Sequence, residues 1–188
     1  MGRYAALLRG ITPSNPNMTN DKLRGVFEGL GLGDVTSVLA SGNIVFRSAE
    51  SDVPVLEERI QAALVRELGI GGGTIIREHA ELRALLDRDP FAGLSHDRST
   101  YLTVTFLKDR AAVKVAAAAP EHWPERPDPL TRGLGYDPAA RVILAVLDNT
   151  TTGTPSGVMS WLEKTCGKDI TTRTWLTVQR IVRKMESA

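Results

Sequence analysis

What most constrains this chain is the order in which its short apolar segments change period. Residues 4–8 are apolar on both alternations, the mark of a central strand covered on both faces. Residues 11–17 hold Thr12, Pro13, Ser14, Asn15, Pro16 and Asn17 and read as a loop. Leu23, Val26, Phe27 and Leu30 then recur on one helical face, with Asn17 or Thr19 as cap and Gly31 as stop. Segments 35–40 and 44–48 read as strands joined by Ser41-Gly42-Asn43, a short hairpin signal. Leu56, Ile60, Ala63 and Leu64 mark a second helix that ends at Gly69, and residues 74–77 form a strand after Gly71-Gly72-Gly73. Strand, helix, strand, strand, helix, strand is the ferredoxin-like pattern, with two helices over one face of a four-stranded antiparallel sheet.

The pattern then runs again. Leu82, Leu85 and Leu86 mark a helix that stops before Pro90, and residues 87–99 read as a connector. Residues 101–107 alternate as a clear strand, 111–119 as a helix, and 120–129 hold four prolines and Trp123. Strands follow at 130–134 and 142–147, then a helix placing Val158, Leu162 and Cys166 in line, and a closing strand at 170–174. Trp175, Val178, Ile181, Val182 and Met185 form the stripe of a terminal helix. The expected fold class is α+β: two tandem ferredoxin-like (βαββαβ) halves with antiparallel sheets, plus a C-terminal helix. The halves are expected at residues 1–90 and 91–188. They share element order but no letters.

Composition removes several function classes. The 23 basic and 22 acidic residues give a net charge of +1, too even for a protein that chiefly grips nucleic acid backbone. Six basic residues stand against three acidic ones between 160 and 188, so the tail is mildly basic. Cys166 is the sole cysteine, which leaves no internal disulfide and no thiolate cluster. His79, His96 and His122 have no paired spacing, so no metal site is expected. Neither a phosphate-loop nor a dinucleotide fingerprint is present, and no cofactor is expected. No apolar run approaches ~18 residues, and the apolar core near the start is too short for a secretory signal. No membrane association is expected, and the cytoplasm is the expected location.

Three stretches resemble a bacterial family, the domain of unknown function 1697 family. They are Tyr4-Ala5-Ala6-Leu7-Leu8-Arg9-Gly10-Ile11, Ser41-Gly42-Asn43-Ile44-Val45-Phe46, and Thr171-Thr172-Arg173-Thr174-Trp175-Leu176-Thr177-Val178. The resemblance follows the chain in order and spacing, and implies tandem ferredoxin-like halves without bringing an activity. The family commonly has a glycine-rich turn after its first strand, where this chain has Thr12-Pro13-Ser14-Asn15-Pro16, and Asn where this chain has Thr174.

Candidate binding chemistry falls on three segments. The loop of residues 10–17 precedes a helix N-terminus, whose amides and dipole favour an anion. Arg9 would add charge there, while Ser14, Asn15 and Asn17 would donate or cap. Asn43 offers a side-chain amide beside the hairpin, where a tight turn is the simpler use of Gly42-Asn43. Thr172, Arg173 and Trp175 combine a hydroxyl, a guanidinium fork and an indole. The same residues also suit a strand end, with Trp175 in the core. The function expected is a cytosolic binding protein for a small, anionic ligand. The alternatives are a metal-independent enzyme using these hydroxyls, or an interaction module that forms a homodimer through a sheet edge or Trp123.

Overall fold

The structure, a computed structural model, describes residues 1–151 and 156–187. It is a mixed α/β protein with two four-stranded antiparallel sheets and, among the described residues, six α-helices, the last at the C-terminal end. Contacts divide it into two compact units. One is Met1–Ala84 together with the segment from Gln179 onward; the other is Leu85–Val178.

The first unit contains β1 (Gly2–Leu8), α1 (Asn20–Gly29), β2 (Gly33–Ser37), β3 (Asn43–Ser48), α2 (Val53–Leu68), β4 (Thr74–Glu78) and most of α3 (His79–Asp87). Its strands lie in the order β2-β3-β1-β4. Tyr4, Ala6 and Leu8 of β1, Ile44 and Phe46 of β3 and Ile76 of β4 share one core. Leu23, Val26 and Phe27 of α1 and Leu56, Ile60, Ala63 and Leu64 of α2 complete it. Each large aliphatic or phenylalanine side chain among these, fully buried, contributes about 1.5–3 kcal/mol. Ala5 and Leu7, on the other alternation of β1, are buried too.

Local chemistry starts and stops these helices where the sequence places caps. The Thr19 hydroxyl accepts the Lys22 amide at 3.4 Å, and the Asp52 carboxylate accepts the Val55 amide at 3.1 Å. Helix α2 ends at Gly69 in the left-handed region, φ 69°. The α2 side chains also serve the edge strand: Glu57 accepts the Ile76 amide at 2.8 Å, and Gln61 accepts the Thr74 hydroxyl at 2.9 Å. An edge whose amides are answered by a helix offers less to another chain.

The second unit contains β5 (Thr100–Leu107), α4 (Asp109–Ala117), β6 (Thr131–Asp137), β7 (Val142–Asp148), α5 (Val158–Cys166) and β8 (Ile170–Thr174), in the strand order β6-β7-β5-β8. Its core joins Leu107, Ala111, Val115, Ile143, Ala145, Val158, Leu162, Cys166 and Ile170. The proline-rich segment holds a single 3₁₀ turn, Pro120–His122. Trp123 packs edge-to-face on Trp161 at 5.2 Å and lies against that core. The expectation for Ser156 is a helix cap, and its hydroxyl does accept the Val158 amide at 3.1 Å while donating to Asp128 at 2.9 Å. The preceding Thr154 and Pro155 lie outside the described residues. The last helix, α6 (Trp175–Glu186), begins in the second unit and ends in the first.

Three of the four strands in each sheet correspond in register. Ala5 stands between Val45 and Arg77 in one, and Val104 between Leu144 and Arg173 in the other. Each of these arginines donates from Nη1 at 2.8 Å to the carbonyl of the residue before it, Ile76 or Thr172.

Candidate functional site

Arg9, Ser14, Asn15, Asn17 and Asn43 all fall at one end of the first sheet, where three connections meet. The Leu8 amide donates to Gly42 O at 2.8 Å, and the Arg9 amide to Gly73 O at 2.9 Å. The loop between β1 and α1 is thereby tied to the β2–β3 hairpin and to the glycine segment before β4. Within it, Asn15 Oδ1 accepts the Asn17 amide at 2.9 Å, and Asn17 Oδ1 accepts Lys22 Nζ at 2.9 Å. Ser14 is exposed. Asn43 is buried, and its Nδ2 donates to Val38 O at 3.0 Å and to Ser41 Oγ at 2.9 Å. The amide that reads in sequence as a ligand donor thus braces the hairpin.

Thr172, Arg173 and Trp175 lie in the second unit. Thr172 shares a hydroxyl hydrogen bond with Thr105 at 2.8 Å. Arg173 Nη1 reaches Thr171 Oγ1 and Thr172 O, both at 2.8 Å, and burial pushes its guanidinium pKa down to about 10. It stays charged at neutral pH. Trp175 is buried and meets Phe91 edge-to-face at 5.4 Å. Thr174 Oγ1 accepts the Thr177 amide at 3.3 Å, which fastens the first turn of α6. The structure therefore places the eight sequence-derived residues in two groups, one per unit.

A third location escaped the sequence reading. A groove of about 360 Å³ in the first unit is lined by Ser37, Val38, Leu39, Arg180, Arg183, Lys184 and Ser187. The apolar stripe of α6 buries Ile181, Val182 and Met185, and Arg180, Arg183 and Lys184 share another face at i, i+3 and i+4. The opposing wall is the hairpin. Leu39 sits there with φ 60° and a side chain 42% exposed. A β-carbon in the left-handed region costs roughly 1–2 kcal/mol. Asn20 Nδ2 holds the Leu39 carbonyl at 3.0 Å, and Asn43 holds the neighbouring Val38. Ser37 Oγ accepts Arg24 Nη1 at 2.9 Å, while Arg24 also pairs with Asp21.

The electrostatics of this groove are one-sided. No carboxylate among the described residues forms an ion pair with Arg180, Arg183 or Lys184. Glu186, three residues after Arg183, is instead shared by His79 at 3.4 Å and Arg83 at 3.5 Å. Like charges at i, i+4 destabilise a helix by ~0.2–0.5 kcal/mol. Arg183 and Lys184 partly offset this at the negative end of the helix dipole; Arg180, a turn earlier, gains less.

Other chemistries find less support among the described residues. No group of three or more His, Cys, Asp or Glu side chains there can hold a metal ion. No helix is long and apolar enough to cross a membrane. Tyr4 and Phe46, the aromatics an RNA-binding sheet would expose, are buried and stack on each other at 5.6 Å.

Fold and site together define a mixed α/β protein of two four-stranded antiparallel sheets, with a basic groove on the first unit. The chain belongs to the family described as "Protein of unknown function (DUF1697)", which matches residues 1–128. Among solved structures it is similar to the conserved bacterial protein SP0830 from Streptococcus pneumoniae. That similarity has a TM-score of 0.76 at 22% identity and covers 99% of each chain. At this identity the likeness speaks to the fold alone, and it extends through the second sheet. No match was found among curated proteins.

Proposed function

We propose that this protein binds a small anionic ligand in the groove between the β2–β3 hairpin and the last turns of α6. The observation that carries this reading is the set Arg180, Arg183 and Lys184, three cations lining one concave surface without a carboxylate partner among the described residues. Ser37 and Ser187 add hydroxyls, and Leu39 an apolar wall. Asn43, Asn20 and the loop carrying Arg9, Ser14, Asn15 and Asn17 act as its frame, by setting the hairpin against β1 and α1. Thr172, Arg173 and Trp175 support the second sheet in this reading. The setting proposed is the cytosol, on the support of a single buried thiol, Cys166.

The two sheets are also read here as ferredoxin-like halves, approximately residues 1–90 and 91–188. Matching strand orders and the Arg77–Arg173 correspondence support a duplicated unit.

A thermal-shift panel of phosphate, pyrophosphate, sulfate and citrate tests the binding reading. An anion at about 100 times its dissociation constant adds ~2.7 kcal/mol, or roughly 5–10 °C in a chain of this size. The triple variant Arg180→Gln, Arg183→Gln, Lys184→Gln should lose the shift with its circular dichroism unchanged, whereas Arg173→Ala should keep it. A flat panel, or a shift that survives the triple variant, removes the proposal.

A further inference from the structure

Resting on the anion-binding reading above, we infer that the ligand's anionic part is a diphosphate group, free or as an ester, rather than a single phosphate. Three features of the groove point to it.

The first is span. Helical rise is ~1.5 Å per residue, so Arg180 and Lys184 are attached about 6 Å apart along the axis, with Arg183 close to the latter. One phosphoryl group is a single compact tetrahedron. Meeting all three cations with it draws two guanidinium groups together, like charge against like. Two linked phosphoryl groups meet them in sequence, one per guanidinium fork.

The second feature is charge. The described lining of the groove carries three positive charges and no carboxylate side chain. A diphosphate ester carries about three negative charges near neutral pH, one on the inner phosphoryl and up to two on the outer, whose second pKa is near 6. A phosphomonoester, at about −1.5 to −2, leaves one cation unanswered.

The third feature is the donor set. A guanidinium presents a planar fork suited to two oxygens of one phosphoryl, while an ammonium acts as a point charge. Two arginines and one lysine therefore read as two forks and a point charge beside the second of them. Ser37, whose Oγ accepts Arg24 Nη1, keeps its hydroxyl proton to donate, while the Ser187 hydroxyl donates to Lys184 O at 3.1 Å and offers its lone pairs only. The volume, about 360 Å³, is at the small end of ligand pockets, and the Leu39 hairpin closes one side.

Titration calorimetry on the full chain, at fixed low salt, decides the matter with four probes: inorganic pyrophosphate, orthophosphate, a nucleoside diphosphate and a short single-stranded oligonucleotide. Pyrophosphate is expected to bind about tenfold or more tighter than orthophosphate, the worth of one charge-assisted hydrogen bond or more. Arg180→Gln and Arg183→Gln, each checked for folding by circular dichroism, should each bring that ratio toward one. A nucleoside diphosphate matching pyrophosphate supports recognition of the diphosphate alone, and one binding tighter adds a contact to its organic part. Equal affinity for pyrophosphate and orthophosphate, both lost in the triple variant, overturns the diphosphate inference and leaves anion binding standing. An oligonucleotide that outcompetes pyrophosphate overturns it in favour of a polyphosphate backbone. Heat from none of the probes overturns the binding reading itself.

Discussion

Gly72 gives the sharpest test of how the site's frame is built. Its φ lies outside the left-handed region, so its need for glycine is one of space. A β-carbon there would stand 2.0 Å from Arg9 O, 2.7 Å from Arg9 C and 3.3 Å from Gly10 Cα. Real β-carbons essentially never approach another heavy atom within 3.0 Å, so the Arg9 carbonyl would have to retreat by about 1 Å. That carbonyl belongs to backbone held by the Arg9–Gly73 and Leu8–Gly42 hydrogen bonds, 2.9 and 2.8 Å. Weakening both costs ~0.5 kcal/mol each, and overpacking adds ~1–3 kcal/mol, which gives about 3 kcal/mol for Gly72→Ala. In a chain of this size that lowers the midpoint by roughly 6–12 °C. Its neighbour Gly71 has nothing within 4 Å of the equivalent position and no left-handed φ. Gly71→Ala should therefore leave stability unchanged or raise it by ~0.4–1 kcal/mol. Urea unfolding followed by far-ultraviolet circular dichroism compares the pair. If Gly72→Ala falls within ~0.5 kcal/mol of the parent, or Gly71→Ala is equally damaging, the close approach of β1 and the glycine segment is wrong.

Two further outcomes follow from side chains around the groove and in the second core. Removing His79 and Arg83 together by alanine frees Glu186 to turn toward Arg183, so pyrophosphate affinity should fall about two- to threefold, the worth of an i, i+3 ion pair; adding Glu186→Gln should restore it, and calorimetry that shows no rescue refutes the link. Burial pushes the Cys166 thiol up to about 11 from 9.0, so the folded state keeps its proton after the unfolded state has lost it. Stability from this group is therefore complete below about pH 9 and lost between about 9 and 11. Urea midpoints at pH 8 and 10.5 should drop further in the parent than in Cys166→Ala, and an equal drop sinks the assignment.

Much of the architecture was legible because periodicity and punctuation are local. The cap at Thr19, the stop at Gly69 and the two-sided burial of β1 all come from residues within a turn or a strand of each other. The groove was not legible, because its walls are separated by about 140 residues and neither is unusual alone. Residues 160–188 are visibly basic, and positions 180, 183 and 184 fall on one helical face. That signal was readable, but only the fold sets the face beside Ser37–Leu39. Leu39 illustrates another limit: a leucine with φ 60° contradicts its own propensity, so nothing in the letters announces it. Arg173 shows a further limit of the letters. Its position on β8 gives Nη1 the Thr171 hydroxyl and the Thr172 carbonyl as partners, which the letters alone do not reveal.

The pairing of several other arginines offers a contrast to the α6 face. Arg24, Arg47, Arg66, Arg88, Arg110 and Arg141 each reach a carboxylate: Asp21, Asp34, Glu67, Asp137, Asp169 and Asp109 in turn. With 22 acidic residues against 23 basic ones, the chain has acids enough to answer many of its cations, and it does so at these six and at Arg83. Exposed pairs of that kind are worth only ~0–1 kcal/mol each, so leaving a single cation alone carries little meaning. Three on one helical face is different, because mutual repulsion adds and the nearest acid, Glu186, is drawn off by His79 and Arg83. An anion seated between Arg180, Arg183 and Lys184 would remove that repulsion while gaining charge-assisted hydrogen bonds. Its affinity would then fall steeply with salt, since the same screening that relieves the bare face weakens the attraction.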